Sequence, residues 1–213
     1  NSSEKLLEMI PLYAPDYIGF GIRNIDDVMM GNVTYYVPEI VSLIRKIREV
    51  TKAPLILGGS GYSLFPEEIL RDSGADYGII GEGEEVFLSL LKALENKTPV
   101  PALPQVVSQS SAPISKGRVT PLIPSISPSY SNLYEWIDFN PYLEHGAYPI
   151  QTKRGCVFEC IYCSYPYLEG NRFRLRKPSL IVDEMQEVLE KSGITTFEFV
   201  DSTFNSPLSH AEE

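Results

Sequence analysis

The residues best suited to chemistry in this chain are three cysteines that lie close together. Cys156, Cys160 and Cys163 are all the cysteines of the 213-residue chain, and their spacing is CxxxCxxC. Three thiolates so near in sequence can ligate one centre if the backbone loops around it, which is the arrangement of an iron–sulfur cluster or a zinc ion. A 4Fe–4S cluster held by three cysteines keeps one iron without a protein ligand. That iron can bind a small molecule and pass it an electron.

Two other classes of protein fit these cysteines less completely. A structural zinc site normally has four ligands, and the remaining candidates, His145 and His210, are not at finger-like spacing from the cysteines. A ferredoxin usually supplies four cysteines per cluster, which is one more than this chain has. A zinc-binding interaction module and an electron carrier with an external fourth ligand stay open as alternatives.

The segment around the cysteines resembles the cluster loop of the radical S-adenosylmethionine superfamily. The likeness rests on the CxxxCxxC spacing and on Tyr162 before the last cysteine. The preceding residues QTKRG and two later stretches, FRLRKP from Phe173 and FVDSTFN from Phe199, are similar to the branch that carries a cobalamin-binding domain ahead of its barrel. Val157 stands where that branch often has proline, which alters loop stiffness but removes no ligand.

The composition excludes some functions. The net charge of −10, from 18 basic and 28 acidic residues, argues against a nucleic-acid surface, because phosphate binding needs clustered lysine and arginine. The hydrophobic content of 43% suffices for a buried core, and the chain shows neither a membrane-spanning run nor a signal-peptide pattern. Clustered thiols favour a reducing compartment, so a cytoplasmic protein is expected. The chain starts without Met and stops after an apparent strand, which indicates a fragment.

Short apolar runs alternate with amphipathic segments over residues 16–94, which is typical of repeated β–α units. The predicted elements are a strand at 17–23, a helix from Pro38, a strand at 55–57, a helix from Pro66 to Gly74, a strand at 77–80 and a helix over 86–94. Such units predict an α/β fold with a parallel sheet and helices on both faces, as in doubly wound, Rossmann-like domains.

Glycine-rich or polar residues follow each of these predicted strands directly. Ligands of parallel sheets bind beyond the carboxyl ends of the strands, and glycines there let the backbone approach a bulky ligand. Taken alone, glycine after a strand is more often turn chemistry. The three loops resemble the last three strand ends of a cobalamin-binding domain, which implies contacts with cobalamin from Arg23, Asn24, Gly58, Gly59, Ser60, Gly81, Glu82 and Gly83. An axial histidine in a DxHxxG motif is not found in these residues, so it either lies upstream of Asn1 or is not used.

The cysteine loop follows a predicted strand at 148–153. A helix capped by Ser179 and ended by Gly193, and then a strand at 195–200, complete a β–α–β unit. This unit predicts the start of a barrel of the triosephosphate-isomerase type, whose active residues lie at the carboxyl ends of strands.

By resemblance, the open iron would chelate S-adenosylmethionine, and further contacts with that molecule would come from Tyr162, Asp201, Ser202 and Arg174. The last three have structural alternatives: Asp201 and Ser202 could cap a loop, and Arg174, like Arg176, could pair with Glu184 and the linker. The predicted domains are a partial cobalamin-binding domain over 1–97, a proline-rich linker over 98–145 and the truncated start of the barrel over 146–213.

The resemblance implies an enzyme that cleaves S-adenosylmethionine reductively with a 4Fe–4S cluster. The resulting 5'-deoxyadenosyl radical would take a hydrogen atom from an unreactive carbon, and cobalamin would carry a methyl group to that carbon. Cobalamin-assisted cyclisation or rearrangement is the alternative within the class. The implied partners are a small-molecule substrate, which cannot be identified without the rest of the barrel, and an electron donor such as flavodoxin or ferredoxin. A fragment of this kind could itself be inactive.

Overall fold

The computed structural model describes residues 2–100, 103–110, 137–141 and 146–213. It divides the chain into two compact units, Asn1–Pro121 and Leu122–Glu213. His145 and most of the predicted linker lie outside the described residues, and the predicted domain boundaries stay predictions. The elements of the first unit are α1 (Ser2–Tyr13), β1 (Ile18–Gly21), α2 (Val37–Val50), β2 (Leu55–Gly58), α3 (Ser60–Leu64), α4 (Pro66–Ser73), β3 (Tyr77–Ile79), α5 (Glu84–Glu95) and β4 (Val106–Ser108).

The sheet of the first unit has the order β1-β2-β3-β4. Strands β1, β2 and β3 are parallel neighbours, with Ile18 opposite Leu55 and Ile56 opposite Tyr77. Strand β2 is buried on both faces: Leu55 and Leu57 belong to one apolar cluster and Ile56 to another. Because successive side chains of a strand point to opposite faces, helices must cover both sides of the sheet. Buried residues of α2 and α4 belong to the cluster of Leu55 and Leu57, and buried residues of α5 belong to the cluster of Ile56. The predicted doubly wound α/β arrangement is confirmed.

Strand β4 corrects the interpretation of the proline-rich stretch as linker throughout. It pairs antiparallel with β3, with Val107 opposite Gly78 and nearly fully buried. The reason is that β3 would otherwise leave a row of unpaired backbone groups at the sheet edge, and three residues between prolines are enough to pair with it. Helix α1 was also not predicted, although its Ile10 is buried in the first apolar cluster.

The second unit contains a β–α–β unit, as predicted. Its elements are β5 (Tyr148–Ile150), β6 (Lys153–Arg154), α6 (Tyr165–Glu169), β7 (Arg174–Leu175), α7 (Pro178–Ser192), β8 (Phe197–Phe199) and α8 (Leu208–Glu212). Strands β5 and β8 are parallel, and α7 packs on them through a core that includes Ile150, Ile181 and Val188.

Two local predictions in this unit are wrong. Helix α7 begins at Pro178 with Lys177 as its N-terminal cap, so Ser179 lies inside the first turn; proline fits there because its missing N–H has no helical partner to lose. The strand predicted at 148–153 ends at Ile150, and Lys153–Arg154 pair instead with Arg174–Leu175 in a separate antiparallel ribbon. Gly193 ends α7 in the left-handed conformation, as predicted (φ +73°). Within the described residues, no helix is long and apolar enough to cross a membrane.

Candidate functional site

The cysteine loop is closed at its base by the ribbon of β6 and β7. The backbone N–H of Cys156 donates to the carbonyl of Gly170 over 2.9 Å, and the N–H of Gly155 donates to Oε2 of Glu169 over 3.0 Å. Gly155 has φ +86°, and a Cβ atom there would lie 2.1 Å from the carbonyl oxygen of Arg172. Only glycine fits such a close approach between two backbones, so the loop is held firmly just before its first cysteine.

The three thiols differ in exposure. Cys156 is buried, Cys160 is exposed and Cys163 is half-buried, and a turn joins the N–H of Cys163 to the carbonyl of Cys160 over 3.1 Å. Among the residues that the structure describes, no three His, Cys, Asp or Glu side chains are assembled around a common metal position. Three soft thiolates on one loop suit an iron–sulfur or zinc centre by their chemistry. In this structure, however, the three sulfur atoms do not converge on one position.

Large apolar side chains surround the cysteines and face solvent. Val157 and Phe158 are half exposed, Tyr162 is 88% exposed and Ile161 is fully exposed. Contiguous exposed apolar residues usually mark a surface that contacts a ligand or another part of a protein. Tyr162 therefore stands on an open loop, and its predicted contact with S-adenosylmethionine stays a prediction.

Asp201 lies two residues after the end of β8, and its carboxylate is fully buried. Oδ1 accepts hydrogen bonds from the backbone N–H groups of Thr152 (2.8 Å) and Lys153 (3.2 Å), and Oδ2 accepts one from Oγ1 of Thr152 (2.6 Å). Ser202 donates from Oγ to the carbonyl of Gly155 over 3.3 Å. Both residues therefore contact the backbone that leads into the cysteine loop, and their role in binding S-adenosylmethionine stays a prediction.

The two arginines of β7 and its end have different partners. Arg174 donates from Nη2 to the carbonyl of Glu169 over 2.9 Å. Arg176 is buried, pairs with Glu184 over 2.6 Å and donates to the carbonyl of Gln151 over 2.7 Å. The ion pair with Glu184, which the sequence offered as a structural alternative for these arginines, is therefore made by Arg176.

The loops that follow β1 and β2 touch each other through their backbones. The carbonyl of Ile22 accepts from the N–H groups of Gly61 (2.9 Å) and Tyr62 (3.3 Å), and Oγ of Ser60 donates to the carbonyl of Arg23 over 2.9 Å. Gly59 has φ +97°, and a Cβ there would lie 2.5 Å from the carbonyl oxygen of Ile22. The glycine is therefore required by this backbone contact itself.

Ser63 joins the loops that follow β2 and β3. Its Oγ donates to the carbonyl of Gly59 over 2.8 Å and accepts from the N–H of Gly81 over 2.9 Å. Sequence reasoning missed this residue, because a serine inside a short helix carries no pattern of its own. The strand-end residues at 23, 58–60 and 81 are thus brought together, with Arg23, Asn24 and Ser60 exposed and Glu82 buried.

Tyr62 is a buried residue of α3, next to these loops. It is fully buried against β3, where a Cβ on Gly78 would lie 1.7 Å from the phenol oxygen. That oxygen has no hydrogen-bond partner in the described part of the chain. Burial, and to a smaller degree the charge of Glu67, raises the pKa of the phenol above its ordinary value.

Known proteins resemble this chain over nearly its whole length. Residues 1–91 match the family model of the B12 binding domain. The chain is 27% identical to tryptophan 2-C-methyltransferase of Streptomyces laurentii, a match that spans 93% of this chain and 41% of the relative. It is 26% identical to anaerobic magnesium-protoporphyrin IX monomethyl ester cyclase of Cereibacter sphaeroides, over 94% of this chain and 32% of the relative.

A solved structure shares the fold. The radical S-adenosylmethionine methyltransferase TsrM of Kitasatospora setae, with cobalamin and a [4Fe-4S] cluster bound, superimposes with a TM-score of 0.82 and 27% identity, over 97% of this chain and 42% of that one. The chain thus spans about two fifths or less of the length of these relatives.

Proposed function

We propose that the chain is part of a radical S-adenosylmethionine protein that carries a cobalamin-binding domain, and that the full-length protein is a cobalamin-dependent methyltransferase. The observation that carries the proposal is the joint presence of a B12 binding domain over residues 1–91 and a CxxxCxxC loop after β5 in one chain. Neither feature alone selects this class, since B12 domains and three-cysteine loops each occur in other settings.

We propose that Cys156, Cys160 and Cys163 hold a 4Fe–4S cluster. When bound, the cluster would supply the electron that cleaves S-adenosylmethionine, and cobalamin would supply the methyl group for an unactivated carbon of a small molecule. The buried, hydrogen-bonded Cys156 would be the fixed ligand of the loop. The more exposed Cys160 and Cys163 lie where the loop must close to complete the site.

The first unit would hold cobalamin at the carboxyl ends of β1, β2 and β3. The residues proposed for this contact are those predicted from sequence, Arg23, Asn24, Gly58, Gly59, Ser60, Gly81, Glu82 and Gly83. The hydrogen bonds of Ser60 and Ser63 hold three of these strand-end segments in one place. A preformed edge reduces the ordering cost of binding a large ligand, which supports this assignment.

A second outcome of the chemistry has one observation in its favour. The relative from Cereibacter sphaeroides is named as a cyclase rather than a methyltransferase, so cobalamin-assisted ring closure is the alternative reaction. The substrate is proposed to be a small molecule, and the electron donor a flavodoxin- or ferredoxin-like protein. A reducing, cytoplasmic setting belongs to the same proposal, because the clustered thiols need it.

Anaerobic reconstitution of the full-length protein tests the cluster. We expect bound iron and an electron paramagnetic resonance spectrum that changes when S-adenosylmethionine is added, because the open iron would bind it. Cys160→Ala should abolish the iron, whereas Val157→Ala, on the same loop and half exposed, should leave it unchanged. Full iron content in Cys160→Ala would refute the ligand assignment. Zinc without iron would indicate an interaction module, and a spectrum insensitive to S-adenosylmethionine would indicate an electron carrier.

Equilibrium dialysis with hydroxocobalamin tests the first unit. Bulky residues at the loop glycines should block binding, but Gly59→Leu would also disturb the contact with Ile22. Gly83 is the cleaner site, because a Cβ there would make an ordinary contact of 3.6 Å with Ile79. Gly83→Leu should weaken binding by about tenfold or more, roughly 1.4 kcal/mol, and Gly83→Ala far less. Unchanged affinity in Gly83→Leu, or no binding by the full-length protein, would leave these loops as scaffold.

A further inference from the structure

We propose that Asp201 and Lys153 form a buried positioning pair that holds the start of the cysteine loop, and that Asp201 acts through this backbone rather than by touching S-adenosylmethionine. The inference rests on the proposed function only in giving the loop a cluster to hold. It deepens that proposal by assigning a different task to a residue predicted from sequence to bind the cofactor.

The carboxylate of Asp201 has no accessible surface and no idle oxygen. Its side chain is 0% exposed, and its two oxygens accept three hydrogen bonds from Thr152 and Lys153, at 2.6 to 3.2 Å. A carboxylate already satisfied in this way gains little by exchanging a partner for an external ammonium group. Its contacts are with the polypeptide.

Lys153 depends on Asp201 for its charge balance. Its ammonium is fully buried, donates to the carbonyl of Phe204 over 2.7 Å and lies 3.6 Å from Oδ2 of Asp201. The rings of Phe173 and Phe204 flank it, with centroids at 5.8 and 5.6 Å. An isolated buried charge is costly, and loss of one partner of a buried pair leaves the other uncompensated. Neutralising Asp201 should therefore displace the Lys153 segment.

That segment leads directly to the first cysteine. Lys153 and Arg154 form β6, and Ser202, next to Asp201, donates to the carbonyl of Gly155. Gly155 lies so close to Arg172 that an added Cβ would be 2.1 Å from the Arg172 carbonyl oxygen, and the N–H of Cys156 donates to the carbonyl of Gly170. The residues that follow β8 therefore hold the backbone at 152–155 in place through hydrogen bonds and an ion pair. Cys160 and Cys163 lie outside this fixed segment.

Alkylation of the metal-free full-length protein tests the inference without any cofactor. Iodoacetamide labelling followed by peptide mass spectrometry gives a rate for each cysteine, and buried Cys156 should react much more slowly than exposed Cys160. Asp201→Asn and Lys153→Met should each raise the Cys156 rate by about tenfold or more, because local opening governs access to a buried group. The Cys160 rate should not change. Asp183→Asn, which removes an exposed charge from α7, is the matched control and should change neither rate.

The reconstituted protein supplies the second measurement. Both variants should lose iron in parallel, and buried Lys153 cannot touch S-adenosylmethionine, so parallel loss points to positioning. If Asp201→Asn keeps its iron and its slow Cys156 but loses the spectral response to S-adenosylmethionine, Asp201 is a cofactor contact and the inference is wrong. Unchanged Cys156 rates in both variants would also overturn it.

A milder variant keeps the test decisive if the first two variants do not fold. If circular dichroism shows that Asp201→Asn and Lys153→Met are unfolded, Thr152→Val decides, since it removes only the 2.6 Å hydrogen bond to Asp201 and keeps the shape of the side chain. A faster Cys156 in Thr152→Val supports the inference, and an unchanged rate refutes it. If the wild-type protein binds no iron while Cys156 still depends on Asp201, the proposed function fails and the positioning role stands.

Discussion

Gly59→Ala should destabilise the first unit by about 2 to 6 kcal/mol without any ligand. Gly59 has φ +97° and ψ 169°, a region open in practice only to glycine, where another residue costs about 1–3 kcal/mol. The new Cβ would lie 2.5 Å from the carbonyl oxygen of Ile22 and 3.0 Å from its C and N atoms. These are backbone atoms, so no side-chain rotation relieves the clash.

The second contribution comes from the hydrogen bonds that the clash disturbs. The Ile22 carbonyl accepts from the N–H groups of Gly61 and Tyr62, and each such bond contributes about 0.5–1.5 kcal/mol. The loss is large beside the stability of about 5–15 kcal/mol that is typical of a domain. Urea unfolding followed by circular dichroism would measure it as a lower midpoint at unchanged slope.

Gly83→Ala is the matched control for this experiment. Gly83 has φ −96° and ψ −12°, which any residue can adopt, and its added Cβ would make only an ordinary contact with Ile79. We expect a change within about 0.5 kcal/mol. If Gly59→Ala lay within about 1 kcal/mol of the wild type, the close approach of the two loops would not exist in solution.

Two further predictions concern buried polar groups. Glu184→Gln should lower the free energy of unfolding by about 3 kcal/mol, because it leaves the buried charge of Arg176 without its partner. Glu187→Gln, in an exposed pair on the same helix, should cost less than about 0.5 kcal/mol by the same urea titration. Tyr62→Phe should not destabilise the protein at neutral pH, since the hydroxyl has no hydrogen-bond partner among the described residues. Above about pH 10 the unfolded wild type loses the phenolic proton that the folded state retains, because burial raises the pKa of Tyr62. Wild-type stability should therefore fall with rising pH, and the fall should be smaller in Tyr62→Phe; equal pH profiles of unfolding would refute this.

Features set by neighbouring residues could be predicted from the sequence. The prolines at 38 and 66 mark the beginnings of α2 and α4, and the glycines at 74 and 193 end helices in the left-handed conformation. The apolar runs predict three parallel strands and the helices between them. Propensity and periodicity act within a few residues, so these elements needed no tertiary information. The spacing of the cysteines and the residues around them likewise suggested the resemblance to radical S-adenosylmethionine proteins.

The tertiary structure alone decided how distant segments meet. Strand β4 exists because the edge of β3 accepts it. Its two valines favour a strand, but a segment of three residues in a proline-rich stretch is too short to predict from sequence. Asp201 meets Thr152 across 49 positions of sequence, and Ser63 meets Gly81 across 18. From the sequence, a polar residue that binds a ligand after a strand cannot be distinguished from one that contacts another loop. Which partner it has depends on backbone positions that only the packed sheet and helices define.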